Sequence, residues 1–344
     1  MFMRIPIISF LLLIGLAVWI GCGENNQKES ETEPTSEIQE TTKIPVIFDT
    51  DANNELDDQH ALAYLLFNGE TFDVKGITVN ATRSGGGIDD QYAEAERVLK
   101  LCTLDGKIPL YPGADADFET IRENVGKADF DGHEAVDFII SEAKKDHGQK
   151  LVLLPVGKLT NIALALEKAP EIKDRVRIVW LGSNYPDMGE YNLENDIPSL
   201  NYVLEQEVPF EMVTVRYGKP SGTGAVKASL QEIEGKMPGL GPESQPVVGR
   251  HGESFTHFGD YSINLFNHIK LDGDSRSLFD MAAVAIVKNP QWAETFEAKA
   301  PLLTEDGWVE RPESDRSVII WENFNKEGIL ADFYSVMQNP VLVK

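Results

Sequence analysis

The chain has 344 residues, of which 42% are hydrophobic, and its 56 acidic side chains against 31 basic ones give a formal charge of -25. An acid excess of this size argues against a nucleic-acid polymer as partner, because phosphate recognition depends on Lys and Arg. It is compatible with a cation site and with an uncharged small substrate.

Residues 1–20 carry an early charge at Arg4 and then an apolar run, ending at Gly21-Cys22. This has the form of a signal peptide, too short and too N-terminal for a comfortable membrane span. A cysteine after a small residue at that point resembles a bacterial lipoprotein cleavage site, with Trp19 standing where Leu or Val is usual. The expectation is an exported protein, anchored in the bacterial envelope through a lipid on Cys22. Acylation of Cys22 would leave Cys102 alone, so no disulfide is expected. Residues 23–43 are polar, acidic and without periodicity, and read as a tether. One domain is expected over residues 44–344.

Along that domain, strand-length apolar runs alternate with amphipathic stretches. Residues 45–48 (PVIF) form a buried strand and 58–67 (DQHALAYLLF) a helix. A strand at 72–79, a helix at 89–101, a short strand at 108–111 and a helix at 133–145 follow. Next come a strand at 150–154, a helix at 159–168 and a strand at 176–181. This rhythm predicts an α/β fold with an open, mostly parallel sheet flanked by helices. Residues 217–259 break the pattern with frequent Gly and Pro and only a short helical piece around Leu230, as a functional lid would. Helices at 261–269 and 279–287, a strand at 317–321 and a helix at 328–337 close the chain.

The strongest chemical signal is Asp49-Thr-Asp51-Ala-Asn-Asn-Glu55-Leu-Asp57-Asp58, between the first strand and the first helix. In open α/β sheets, ligands bind beyond the carboxyl ends of strands. Carboxylates crowded in so short a run repel one another unless a hard cation lies among them. The alternative is that Asp57 caps the helix while the other carboxylates face water. The spacing rules out an EF-hand loop.

At these residues the chain resembles the inosine-uridine nucleoside hydrolase family, whose first strand ends in DxDxxxDD. Residues 153–162 (LLPVGKLTNI), 178–183 (IVWLGS), Gly189-Glu190-Tyr191-Asn192 with Asn184, and 278–285 (LFDMAAVA) resemble further family motifs in the same order. The resemblance covers roughly residues 44–338. It implies a nucleoside hydrolase fold with Ca²⁺ held by Asp51, Asp58, Asp280 and the main-chain carbonyl of Val156. It also implies Asp51 as general base on the attacking water, with Asp57, Asn184, Glu190 and Asn192 binding the sugar hydroxyls. Asp49 is expected to orient its neighbours. The substrate would be a small ribonucleoside cleaved to ribose and free base in nucleoside salvage, and family members are commonly homo-oligomers.

The match departs from the family in three places. Two additional residues separate Asp51 from Asp57, compared with the usual DPGxDD. Phe279 stands where many members carry a His that donates a proton to the leaving base; His60, His133, His251 and His257 are candidate substitutes, and Tyr185, Phe255 or Phe279 could stack on a base instead. The Asn usual after the second strand has no clear counterpart, leaving Asn80 and Arg83 as candidates beside Gly85-Gly-Gly87. Two alternatives to nucleoside hydrolysis follow: a protein that binds calcium and ribose without turnover, and a hydrolase of another N-riboside.

Overall fold

The computed structural model describes residues 42–344. The leader ending at Cys22 and the tether as far as Thr41 lie outside the described residues. No helix among the described residues is long and apolar enough to cross a membrane.

Eight strands form the main sheet: β1 (Ile44–Thr50), β2 (Phe72–Val79), β3 (Leu110–Pro112), β4 (Leu151–Pro155), β5 (Val176–Ser183), β6 (Phe210–Thr214), β7 (Glu294–Lys299) and β8 (Ser317–Glu322). Their order is β7-β8-β6-β5-β4-β1-β2-β3, with all neighbours parallel except β7 and β8. The chain runs outward from β1 to β3, then returns beside β1 with β4 and runs outward the other way. The order therefore reverses between β1 and β4, the switch point at which open α/β sheets leave a crevice.

Strands covered on both faces read as continuous apolar runs, and Val46, Ile47 and Phe48 of β1 are all fully buried. Side chains alternate across the sheet. Val46, Phe48, Val152 and Leu154 join one core cluster, and Ile47, Leu151 and Leu153 join the other. The first cluster is covered by α1 (Asp57–Leu66), α2 (Ile88–Leu101), α6 (Phe258–His268), α7 (Phe279–Lys288) and α8 (Lys326–Gln338). The second is covered by α3 (His133–Ala143), α4 (Thr160–Lys168) and α5 (Ile197–Glu205). Every residue of α1 is buried, because α2, α7 and α8 pack around it.

The predicted strands and helices recur within a few residues at each end. Two strands of the main sheet were not legible. β6 (FEMVT) carries a buried acid, Glu211, which only its partners Arg177 and Trp321 on neighbouring strands make tolerable. β7 (ETFEAK) is a largely exposed antiparallel edge whose charges mask its periodicity. The irregular stretch contains the expected helix, Leu230–Lys236, opened by a capping box between Ser229 and Glu232. Two small antiparallel ribbons complete this region. Lys227–Ser229 pairs with Ser275–Ser277, and Val247–Val248 pairs with Ser254–Phe255.

Candidate active site

The site grows from the ends of β1 and β4. Asp51 follows β1 directly, Val156 follows β4, and the amide of Val156 donates to Asp49 O at 2.8 Å, stitching the two strand ends together. Asp57 and Asp58 open α1, Asp280 opens α7, and these two helices pack against each other. Leu56, rather than Asp57, occupies the capping position of α1. The alternative of a capping Asp57 among solvated carboxylates is therefore not what the chain adopts. Asp51, Asp57, Asp58, Glu190 and Asp280 are all 5% exposed or less.

Carboxylate oxygens of Asp57, Asp58 and Asp280 lie within 4.8 Å of one another. Two like charges at about 4 Å repel by roughly 4 kcal/mol at an effective dielectric near 20, so the three cannot all ionise without a cation. Burial raises each of them. It pushes Asp57 up to about 7, against hydrogen bonds from main-chain amides, and neighbouring Asp51 adds to the shift. Asp58 and Asp280 are also driven well above the usual carboxylate range, by burial and then by the surrounding acids. Asp51 reaches about 6, held lower by hydrogen bonds from Thr82 and Asn54. Glu190 reaches about 7 through burial. The two cationic side chains lining the same space, Arg276 and Lys227, pair instead with Glu55 and Asp272. An all-oxygen donor set that is buried and short of positive charge fits a hard divalent cation.

The carboxylates face a cavity of about 430 Å³, lined also by Val156, Asn192, Tyr217 and Phe279. Around it, a second layer of hydrogen bonds fixes the acids. Thr82 donates to Asp51 Oδ2 at 2.6 Å, and the Tyr191 hydroxyl donates to Thr82 at 3.2 Å. Asp49 does not reach the cavity; it accepts from Thr78, Asn161 and Asn80 at 2.6–2.9 Å. Asn192 donates to the carbonyls of Val156 (2.6 Å) and Leu181 (3.1 Å). Glu190 caps the short helix Tyr191–Asn195 by accepting from Leu193 N at 2.8 Å.

The structure thus brings Asp51, Asp57, Asp58, Val156, Glu190, Asn192, Phe279 and Asp280 to one cavity. The other candidates, His133, Tyr185 and Phe255 among them, do not line it. Asn184 holds its own turn, donating to Met188 O at 2.6 Å and accepting from Tyr217 N at 3.2 Å. Asn80 is bound to Asp49 with its side-chain oxygen buried and unpartnered. His60 is a core residue, 2.7 Å from Ser262 Oγ and ringed by Phe258, Phe266 and Phe333; burial lowers it to about 4. His251 stacks on His268 with centroids 4.2 Å apart, and His257 precedes α6 as its cap. Arg83 lies over the Tyr191 ring and pairs with Glu194. Sequence reasoning missed Thr82, Tyr217, Lys227 and Arg276. Thr82 lay next to a flagged residue, whereas Lys227 and Arg276 come from two distant segments joined by a three-residue ribbon.

Fold and site together define a doubly wound α/β protein with a carboxylate-lined small-molecule site at its switch point. A family model described as inosine-uridine preferring nucleoside hydrolase matches residues 46–327, and the chain belongs to that family. It is 28% identical over 190 residues to a pyrimidine-specific ribonucleoside hydrolase of Shewanella oneidensis, covering 49% of this chain and 58% of that one. It is 30% identical over 114 residues to an inosine-uridine preferring nucleoside hydrolase of Leishmania major, covering 31% and 36%. The chain thus spans between about a third and just over half of these curated relatives' length. Among solved structures, a plant nucleoside hydrolase superimposes with a TM-score of 0.67 at 17% identity, covering 87% of this chain and all of that one. A purine-preferring ribonucleoside hydrolase from Gardnerella vaginalis gives 0.63 at 21%, covering 86% and 98%.

Proposed function

We propose that the protein hydrolyses the N-glycosidic bond of ribonucleosides, releasing ribose and free base in a calcium-dependent reaction. The observation that carries this reading is the convergence of five buried carboxylates on one cavity of small-molecule size. Cleavage of an N-riboside passes through a sugar that develops positive charge, which a ring of acids stabilises. Asp51, Asp58, Asp280 and the Val156 carbonyl would hold Ca²⁺, which would supply positive charge for positioning the sugar hydroxyls and the attacking water. Asp57 also belongs to the tight trio of acids, which supports a share for it in either duty. Asp51, near neutrality by its burial, takes the proton of the water. Glu190 and the free oxygen of Asn192 accept from sugar hydroxyls. Exported and anchored at Cys22, such an enzyme would salvage nucleosides outside the cytoplasm.

A second reading, binding of ribosides without turnover, is favoured by Phe279, which lines the cavity where a proton donor is usual. Ribose release from inosine, uridine and an aryl riboside, with calcium supplied or chelated, separates the two. Release that stops on chelation supports the hydrolase. Binding of ribose and calcium with no release from any substrate favours the binder.

A further inference from the structure

We propose that Arg276 takes over leaving-group activation, meeting the departing base with its guanidinium where Phe279 cannot donate a proton. This inference rests on the hydrolase reading above. The Phe279 side chain has no donor, and among the described residues no histidine lines the cavity. Apart from the Tyr217 hydroxyl, which also lines the cavity and is tested below, the other donors there are largely committed. Ser277 Oγ donates to Gly224 O at 2.9 Å, Lys227 is bound to Asp272, the Tyr191 hydroxyl serves Thr82, and the Asn192 amide serves two carbonyls. Arg276 offers five N–H donors. Its Nη2 pairs with Glu55, and its Nε has no partner among the described residues.

Its placement has a cause in the sequence. Glu55 lies in the turn that is two residues longer than the family's usual form, so the same insertion that separates Asp51 from Asp57 delivers the carboxylate that steadies Arg276. From the other side, the ribbon Ser275–Ser277 holds Arg276 against Ala228, three residues before Phe279. The acids of the lining outnumber its two bases, so these cations do not select an anionic substrate. A permanently charged donor near the acids suits a group that becomes anionic only as its bond breaks. In that step the water oxygen bonds to ribose C1′ and its proton passes to Asp51. The C–N bond breaks with its electron pair leaving on the base, which the guanidinium stabilises until solvent protonates it.

The test compares wild type, Arg276→Ala, Arg276→Lys, Glu55→Gln and Tyr217→Phe on inosine, uridine and 4-nitrophenyl riboside, whose leaving group needs no help. Arg276→Ala should lower kcat/KM for both nucleosides by roughly 10²–10³-fold, the usual cost of one transition-state donor, and should spare the aryl riboside. Arg276→Lys, which keeps the charge and loses the fork, should recover part of the loss. Glu55→Gln should give a weaker version of the same substrate-dependent pattern, and it stands in if Arg276→Ala fails to fold. Equal losses on all three substrates, or no loss on any, overturn the role of Arg276. So does a selective loss in Tyr217→Phe that Arg276→Ala lacks. Wild-type protein that releases ribose from none of the three overturns the hydrolase reading and this one with it.

Discussion

Asp51 is held from several sides: Thr82 fixes one oxygen, and Gly157 leaves room beside the other. A Cβ at Gly157 would stand 2.9 Å from Asp51 Oδ1 and 2.8 Å from the Asn80 side chain. Gly157→Ala should therefore shift Asp51, the proposed base, and lower ribose release by roughly 10²-fold, as misplacement of a reacting group does, and thermal unfolding should show the fold retained. Asp51→Asn should remove the proton acceptor and cost roughly 10²–10⁴-fold, read as ribose release beside retained binding of a ribose analogue. His60 plays a different part. Shielded by three phenylalanine rings, it contributes packing and a bond to Ser262. His60→Ala should cost about 2–4 kcal/mol in urea unfolding, as large buried truncations do, without changing the ratio of nucleoside to aryl-riboside cleavage. At this scale the acids were legible, because charge crowded between a strand and a helix has few uses. Whether His60 faced core or cavity was not, since both surroundings suit the same local sequence.

The long turn Asn53–Glu55 connects the acids to the segment predicted as a lid. Arg250 donates to Asn53 O at 2.9 Å and to Glu55 O at 3.2 Å, while Asn53 donates from its side chain to Gly85 O and from its amide to Gln91 Oε1. Through Arg250, the segment 217–259 is thus fastened to the turn that sets the spacing of Asp51 and Asp57, and it cannot be exchanged whole without disturbing that turn. Removing such outer supports commonly weakens metal affinity 10- to 100-fold. Arg250→Ala is expected to raise the calcium concentration for half-maximal activity by about tenfold, which a calcium titration of ribose release would measure. The strands of the central sheet announced themselves as unbroken apolar runs, and α1 through its leucines. The 3.6-residue period of α1 could not show that all of its faces are covered, because three helices from distant parts of the chain supply the cover. The ribbon that sets Arg276 opposite Ala228 and Lys227 opposite Ser277 was illegible for the same reason: three residues on each side carry no periodicity to read.

Across the whole molecule, the acid excess is partly internal, and this couples stability to pH. Asp49, Asp57 and Glu190 are raised to about 7 and Asp51 to about 6, above their unfolded values near 4, so the folded chain binds more protons than the unfolded one. With the metal chelated, their contribution to stability is fully present below about pH 4 and is lost as pH rises through 6 to 7. The melting temperature of the chelated protein should fall between pH 5 and 8. Added calcium should reverse most of that fall, so the gap between the two curves should widen with pH; parallel curves would contradict it. The floor and rim of the cavity also differ in how much change they can absorb. Asp57, Asp58 and Asp280 are set in helices that form the core, where a shift of backbone would disturb packing on several sides. Tyr217, Lys227 and Arg276 belong instead to short connections and a ribbon at the rim, although Val226 and Ala228 beside them are buried in that core. On the proposed hydrolase reading, selectivity for the base would rest with the rim and the chemistry at the sugar with the floor. Replacing Tyr217 alone, with the buried Val226, Ala228, Ile233, Met237 and Phe258 and the Arg250 tie left in place, should alter substrate choice without a new fold having to be found.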